Sequence, residues 1–249
     1  MPVEDLQALI LCGGLGTRLR SVVPELPKCL APVGDRPFLE YVLLQLRAAG
    51  IRDVTLCVGY RGQQVAEYFE AGVRWGMSLS YSLEREPLGT AGALKNAESF
   101  VRHDQFLVLN GDSILDVNLL KMAEYHRRHM ALATLALARV ASAPRYGGVR
   151  TDENGRITDF SEKGSAANLS VAVLEDSARI NAGVYFFDRR ILGRIPTAPP
   201  AVSLETDIFP RFAANDALGF PADGYFVDIG VPEDYARAQR ELPRRFLAC

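Results

Sequence analysis

Leu6-Gln7-Ala8-Leu9-Ile10-Leu11-Cys12-Gly13-Gly14-Leu15-Gly16-Thr17-Arg18-Leu19 is an apolar run that meets a cluster of glycines. The run from Leu6 to Leu11 reads as a short strand, and the glycines end it at once. Glycine lets backbone N–H groups turn toward an anion, and Arg18 adds a permanently charged fork. A strand feeding directly into such a loop is a phosphate cradle, and a plain tight turn does not explain Arg18. It differs from both common glycine loops, with no Gly-Lys-Ser/Thr and no third glycine of a dinucleotide fingerprint.

Outward from this loop, strand-like and helix-like segments alternate. Helices are predicted over Phe38–Ala49, Gln63–Phe69, Ala91–Phe100 and Leu119–His129, and strands over Val54–Val58, Met77–Leu83 and Phe106–Leu109. Such alternation predicts βαβ units and a mainly parallel sheet, with ligands at the carboxyl ends of the strands. The second half reads differently. Ala131–Val140, Gly147–Arg150, Ile157–Phe160, Arg179–Phe187 and Tyr225–Val227 are strand-like with few helices between them, an antiparallel or mixed extension that supplies the other wall of a cleft. Gly164–Ser177 reads as a loop, and Pro232–Glu241 as a closing helix. The expected fold class is α/β, a single Rossmann-like three-layer domain over residues 1–249 with a mainly parallel mixed central sheet.

Composition narrows the function. The 249 residues are 48% hydrophobic and 23% charged, with a net charge of −2. That balance argues against a nucleic-acid surface, and no apolar run approaches the ~20 residues that cross a bilayer. Met1 to Gln7 lacks the basic start of an export signal, so cytoplasmic residence is expected. Four cysteines without metal or CxxC spacing are expected to be free thiols, Cys12 and Cys57 as core filler. His103, His126 and His129 are expected at or near helix surfaces, with no role. Homo-oligomerisation is left open.

Pro27-Lys28, eight residues beyond Leu19, is expected to run extended along the site so that Lys28 reaches back to a phosphate. Together with the glycine loop it resembles the opening motif of the sugar-1-phosphate nucleotidyltransferases. Four further segments agree in order: Glu86-Pro87-Leu88-Gly89-Thr90-Ala91-Gly92, Asn110-Gly111-Asp112, Glu162-Lys163 and Val227-Asp228-Ile229-Gly230. The resemblance implies a nucleotide-diphospho-sugar transferase type of fold, with a nucleotide-binding half over about residues 1–130 and a sugar-phosphate-binding half over the rest. It implies that Asp112 and Asp228 hold Mg2+. Arg18 with the Gly13, Gly14, Gly16 and Thr17 loop would hold the β- and γ-phosphates, Lys28 the α-phosphate and Lys163 the sugar phosphate. Gly89 and Thr90 fall to the nucleotide side, and Tyr146, Gly147, Glu162, Asn181 and Gly183 to the sugar pocket.

Glu84 stands where the family reads the base. One carboxylate accepts two hydrogen bonds from guanine, a better match than uracil or thymine offers, so GTP is the expected donor. Compact length and the closing Asp228-Ile229-Gly230-Val231-Pro232-Glu233-Asp234-Tyr235 look more like the D-glycero-α-D-manno-heptose 1-phosphate guanylyltransferases than the mannose 1-phosphate enzymes, many of which add a C-terminal β-helix. Mannose 1-phosphate, a uridylyl or thymidylyl reaction, and a non-catalytic nucleotide-sugar-binding regulator remain the rival readings. Cys29 and the long Gly164–Ala178 connection depart from the family pattern.

Overall fold

The computed structural model describes residues 6–140, 148–161, 179–197, 201–212 and 216–246. Among these, the first half alternates as its apolar spacing predicts. Strand β1 (Gln7–Leu11) leads through the short β2 (Pro32–Val33) and β3 (Arg36–Pro37) into α1 (Phe38–Ala48). Then come β4 (Asp53–Val58), α2 (Gly62–Phe69), β5 (Ser78–Leu83), α3 (Gly89–Asn96), β6 (Gln105–Asn110), β7 (Ser113–Leu115) and α4 (Leu119–His129). The second half contributes β8 (Ala133–Arg139), β9 (Gly148–Thr151), β10 (Ile157–Ser161), β11 (Arg179–Asp188), β12 (Ala217–Ala222), β13 (Phe226–Asp228) and α5 (Pro232–Arg245).

Seven strands form one sheet in the order β12-β8-β11-β6-β1-β4-β5. Strands β6, β1, β4 and β5 are mutually parallel, β11 runs antiparallel between β6 and β8, and β12 is parallel to β8. The sheet is therefore mixed and mainly parallel, drawn from both halves of the chain. Period-two alternation sorts β1 between two cores: Ala8 and Ile10 pack with Phe38, Leu43, Met122 and Leu242, whereas Leu9 packs with Leu94 and Phe209 on the opposite face. Three layers result, held by burial that contributes about 25 cal/mol per Å2 of apolar surface. Gln7, a polar residue in a core strand, stays satisfied by donating to the Phe100 carbonyl (2.8 Å) and accepting from the Arg102 N–H (3.0 Å).

Several local expectations change. Strand β12 is absent from the sequence reading because Gly219 and Pro221 argue against a strand; it lies at the sheet edge, where a missing N–H is tolerated. The helix predicted to Phe100 ends at Asn96, and Glu98–Phe100 tightens into a 3-10 turn. Helix α5 continues past Glu241 through Pro243 to Arg245. His126 is buried rather than at a surface, with Nδ1 2.9 Å from the Thr134 hydroxyl. Lys28 opens a single 3-10 turn, Lys28–Leu30, instead of continuing the extended conformation of Pro27. The loop expected over Gly164–Ser177 lies wholly outside the described residues.

Candidate active site

Strand β1 delivers the glycine loop at its carboxyl end. Cys12 N–H still reaches the Cys57 carbonyl at 2.8 Å, and then the chain leaves the sheet. Among the described residues no acceptor takes the N–H groups of Gly13 to Arg18; pairing resumes only where Leu19 N–H meets the Gly16 carbonyl at 3.0 Å. A row of unused donors is what an anion cradle requires. Gly14, Thr17 and Arg18 are exposed, and Gly16 rests on the aliphatic stem of Lys28.

Lys28 is the centre of the charged cluster, its side chain only 13% exposed. The ammonium pairs with Asp112 Oδ2 and lies 3.5 Å from Asp228 Oδ1. Burial, the largest influence, pushes its pKa down and nearby Arg18 adds to that, yet the two carboxylates outweigh both and hold it above the ordinary lysine value. Local pairing explains how two aspartates 116 positions apart in number meet. The β13–β7 ribbon sets Asp228 opposite Ser113, and the Ile229 N–H donates to the Asp112 carbonyl at 3.0 Å. Gly230 completes the corner: its N–H donates to Asp228 Oδ1 at 2.6 Å, and a Cβ there would stand 3.2 Å from Lys28 Nζ.

Glu84 extends β5, its N–H on the Val58 carbonyl at 2.8 Å, and its carboxylate lies buried over Gly13. Burial raises its pKa, and the Leu88 N–H, 3.2 Å from Oε2, pulls the other way. Glu84, Gly13, Gly14, Gly89, Asn110 and Asp112 border one cavity of about 240 Å3 at the carboxyl ends of β1, β5 and β6. Two larger cavities, of about 620 and 970 Å3, contain none of the expected site residues.

Gly89 and Thr90 border the cavity but are engaged by the protein itself. Gly89 adopts φ +76°, and a Cβ would strike the Val202 carbonyl, which instead accepts the Ala91 N–H at 2.9 Å. The Thr90 hydroxyl donates to Glu205 Oε2 at 2.7 Å and accepts from the Leu204 N–H at 2.8 Å. Asn181 and Gly183 sit where the β11–β8 register shifts. Asn181 donates to the Tyr185 hydroxyl at 2.8 Å and accepts the Gly183 N–H at 3.1 Å. The missing side chain of Gly183 leaves room for Asn110 and Ser113. Lys163, Tyr146, Gly147 and Glu162 lie outside the described residues.

Cys12, Cys29 and Cys57 are buried free thiols. Cys12 is held well above the usual thiol range, first by its contact with Cys29 and then by burial, so Cys29 belongs to the packing beneath the loop. Sequence reasoning did not single out Glu205 or Tyr185, and quoted Asn110 only within the Asn110-Gly111-Asp112 motif. The one available signal was Ser203 followed by Glu205 and Asp207, the pattern of a capped first turn.

A glycine loop with unused N–H donors beside a lysine shared by two carboxylates is a class of arrangement suited to anionic ligands. The sequence profile of the nucleotidyl transferase family matches residues 7–245, and the chain belongs to that family. It is 41% identical over 239 residues to the D-glycero-alpha-D-manno-heptose 1-phosphate guanylyltransferase of Aneurinibacillus thermoaerophilus, covering 95% of this chain and 98% of that one. It is 35% identical to the mannose-1-phosphate guanylyltransferase of Mycobacterium tuberculosis, over 98% of this chain but 66% of that protein. The crystal structure of HddC from Yersinia pseudotuberculosis complexed with GMP-PN superposes with a TM-score of 0.79 at 30% identity, over 95% of this chain and 99% of that one.

Proposed function

We propose that the chain transfers GMP from GTP to D-glycero-α-D-manno-heptose 1-phosphate, releasing pyrophosphate. The observation that carries a nucleotidyl transfer is the Lys28 ammonium between Asp112 and Asp228, beside the open amides of Gly13 to Arg18. The relatives' names support the guanylyl group and the heptose, and the buried Glu84 carboxylate at the cavity edge supports guanine.

The bond that forms joins an oxygen of the sugar phosphate to the α-phosphorus, and the bond that breaks is α-phosphorus to the bridging oxygen. Pyrophosphate leaves with that electron pair. A sugar phosphate is already an anionic nucleophile, so no residue has to remove a proton. The work of the protein is orientation and charge. The loop amides and Arg18 hold the β- and γ-phosphates, where charge accumulates on departure. Lys28 steadies the α-phosphate, and Lys163 is assigned the sugar phosphate.

Asp112 and Asp228 fit a magnesium ion. They converge closely enough to share one cation, and their oxygens are hard donors of the kind Mg2+ takes one or two at a time, with substrate phosphates and water completing the set. Among the described residues no group of three or more His, Cys, Asp or Glu side chains is placed to hold a metal ion. Bound there, the ion would supply Lewis-acid polarisation of the reacting phosphates. Reliance on GTP supports cytoplasmic residence, and no helix among the described residues is long and apolar enough to cross a membrane.

Pyrophosphate release measured with each of the four ribonucleoside triphosphates and dTTP, crossed with mannose, glucose and heptose 1-phosphates in the presence of magnesium, tests the proposal. GTP with the heptose phosphate is the expected pair. Turnover with mannose but not heptose phosphate would move the assignment to mannose, and no turnover in any pair would overturn the enzymatic reading.

A further inference from the structure

Glu205 lies 115 residues from Thr90 in the chain, yet its carboxylate accepts both the Thr90 hydroxyl, at the edge of the cavity, and the Tyr185 hydroxyl of β11. It sits on a π-turn, Leu204–Ile208, a rare geometry that tends to mark functional sites. Ser203 builds the turn: its hydroxyl caps the N–H groups of Glu205 and Thr206 at 3.1 and 3.2 Å and donates to Glu205 Oε2 at 2.8 Å.

The two carboxylate oxygens hold different elements. Oε2 takes the Thr90 hydroxyl at 2.7 Å, on the turn that starts α3 and borders the nucleotide side of the cavity. Oε1 takes the Tyr185 hydroxyl at 3.1 Å. Tyr185 in turn accepts from Asn181 Nδ2 at 2.8 Å, and Asn181 Oδ1 holds the Gly183 N–H at 3.1 Å, on the β11 bulge beside Asn110 and Ser113. Tyr185 is fully buried, and burial followed by the Glu205 charge holds its hydroxyl well above the usual phenol range, so it remains a donor. Each link is a hydrogen bond to or through a buried or half-buried group, and the chain of links is continuous from Thr90 to Gly183.

We propose that Glu205 is a positioning residue that couples the Gly89–Thr90 turn to the Asn181–Gly183 bulge, so that the binding of nucleotide and of sugar phosphate is energetically linked. The substrate labels of the two walls rest on the function proposed above; the mechanical link does not. Linkage is reciprocal, so loosening either end must be felt at the other. A strut of merely local value would loosen only its own side.

Two variants cut the strut at opposite ends, Tyr185→Phe and Thr90→Val, and Glu205→Gln alters its centre with little change of shape. Hydrogen–deuterium exchange on the free, full-length protein reads both walls without requiring turnover. Tyr185→Phe should raise exchange about tenfold in residues 88–96, and Thr90→Val should do so in residues 180–186, the change expected when a hydrogen bond to a charged group is lost. With GTP and the heptose 1-phosphate as substrates, Tyr185→Phe should also raise the KM for GTP, the substrate remote from it, and Thr90→Val the KM for the sugar phosphate. Exchange increases confined to the mutated wall, or remote KM values unchanged from wild type, would overturn the coupling. If wild type turns over none of the pairs, the functional reading fails and exchange alone decides the coupling. If either end variant does not fold, Glu205→Gln must raise exchange in both segments, and wild-type exchange in either one counts against the strut.

Discussion

Replacing Lys28 by methionine removes a single charge from between two carboxylates and keeps most of the aliphatic stem that Gly16 rests on. At an effective dielectric constant of about 20, the attraction between charges 3.5 Å apart, the Lys28–Asp228 distance, is about 5 kcal/mol before desolvation. Two effects reduce it. The ammonium is mostly withdrawn from water, and the Asp112 and Asp228 side chains keep 35% and 22% of their surface exposed, where solvent screens the pair. A net loss of about 1–2 kcal/mol is expected, which for a chain of this size lowers Tm by about 2–8 °C. Activity should suffer far more. Loss of a cation aimed at the reacting phosphate lowers kcat by about 10²- to 10³-fold, in line with removal of one preorganised transition-state donor. Lys28→Arg should rescue stability better than rate, because a planar fork cannot replace a point charge held between two acids. Differential scanning fluorimetry and pyrophosphate release read the two quantities separately. A Lys28→Met protein with kcat within about fivefold of wild type would show that the ion pair is structural and that another group steadies the α-phosphate.

Asp228→Asn should fold and lose most activity; a wild-type rate would remove Asp228 from the proposed metal pair. Gly89→Ala places a Cβ against the Val202 carbonyl at φ +76° and should cost at least about 2 kcal/mol in urea unfolding, whereas unchanged stability would mean that the turn relaxes freely. Glu84→Gln turns a two-acceptor carboxylate into a mixed amide and should raise the KM for GTP about tenfold while changing UTP little, so equal effects on both nucleotides would sever Glu84 from base reading. His126 has its pKa lowered to about 4, first by burial and then by Arg127 and Arg190, against the opposing charge of Asp188. The unfolded chain therefore takes up this proton first, and on the order of 3 kcal/mol of stability is lost as pH falls from about 6.5 to 4. His126→Asn should flatten that slope in denaturation curves taken across the same window, and an unaltered slope would mean that other groups carry the pH dependence.

The parts of the fold that were legible in sequence are those fixed by local chemistry. The β1 run, its glycine exit and the helices α1, α2 and α4 follow from apolar spacing, and their observed limits differ from the expected ones by at most a residue or two. Strands set by their partners were not legible. β7 is three residues long, and β12 carries both a glycine and a proline; each exists because a neighbour supplies its hydrogen bonds. Pro243 shows the same limit from the other side. Its ring packs against Gly34, and tertiary contact carries the helix across a residue that local rules treat as a stop.

The candidate site divides along the same line. Lys28, Asp112 and Asp228 were singled out by the ordered motifs of the family resemblance, and the structure brings their three side chains together. Thr90, Asn181 and Gly183 were placed by family position at substrate, yet their polar groups or space are taken up by Glu205, Tyr185, Asn110 and Ser113. Hydrogen-bond partners 115 residues apart leave no periodicity to read, so these internal bonds were not legible in the sequence. A hydrogen bond made within the protein fixes the shape of the free site, whereas a contact with substrate forms only when substrate binds. The Gly89–Thr90 turn and the Asn181–Gly183 bulge are thus held from within the protein before any substrate meets them, through Glu205, Tyr185 and their own side chains.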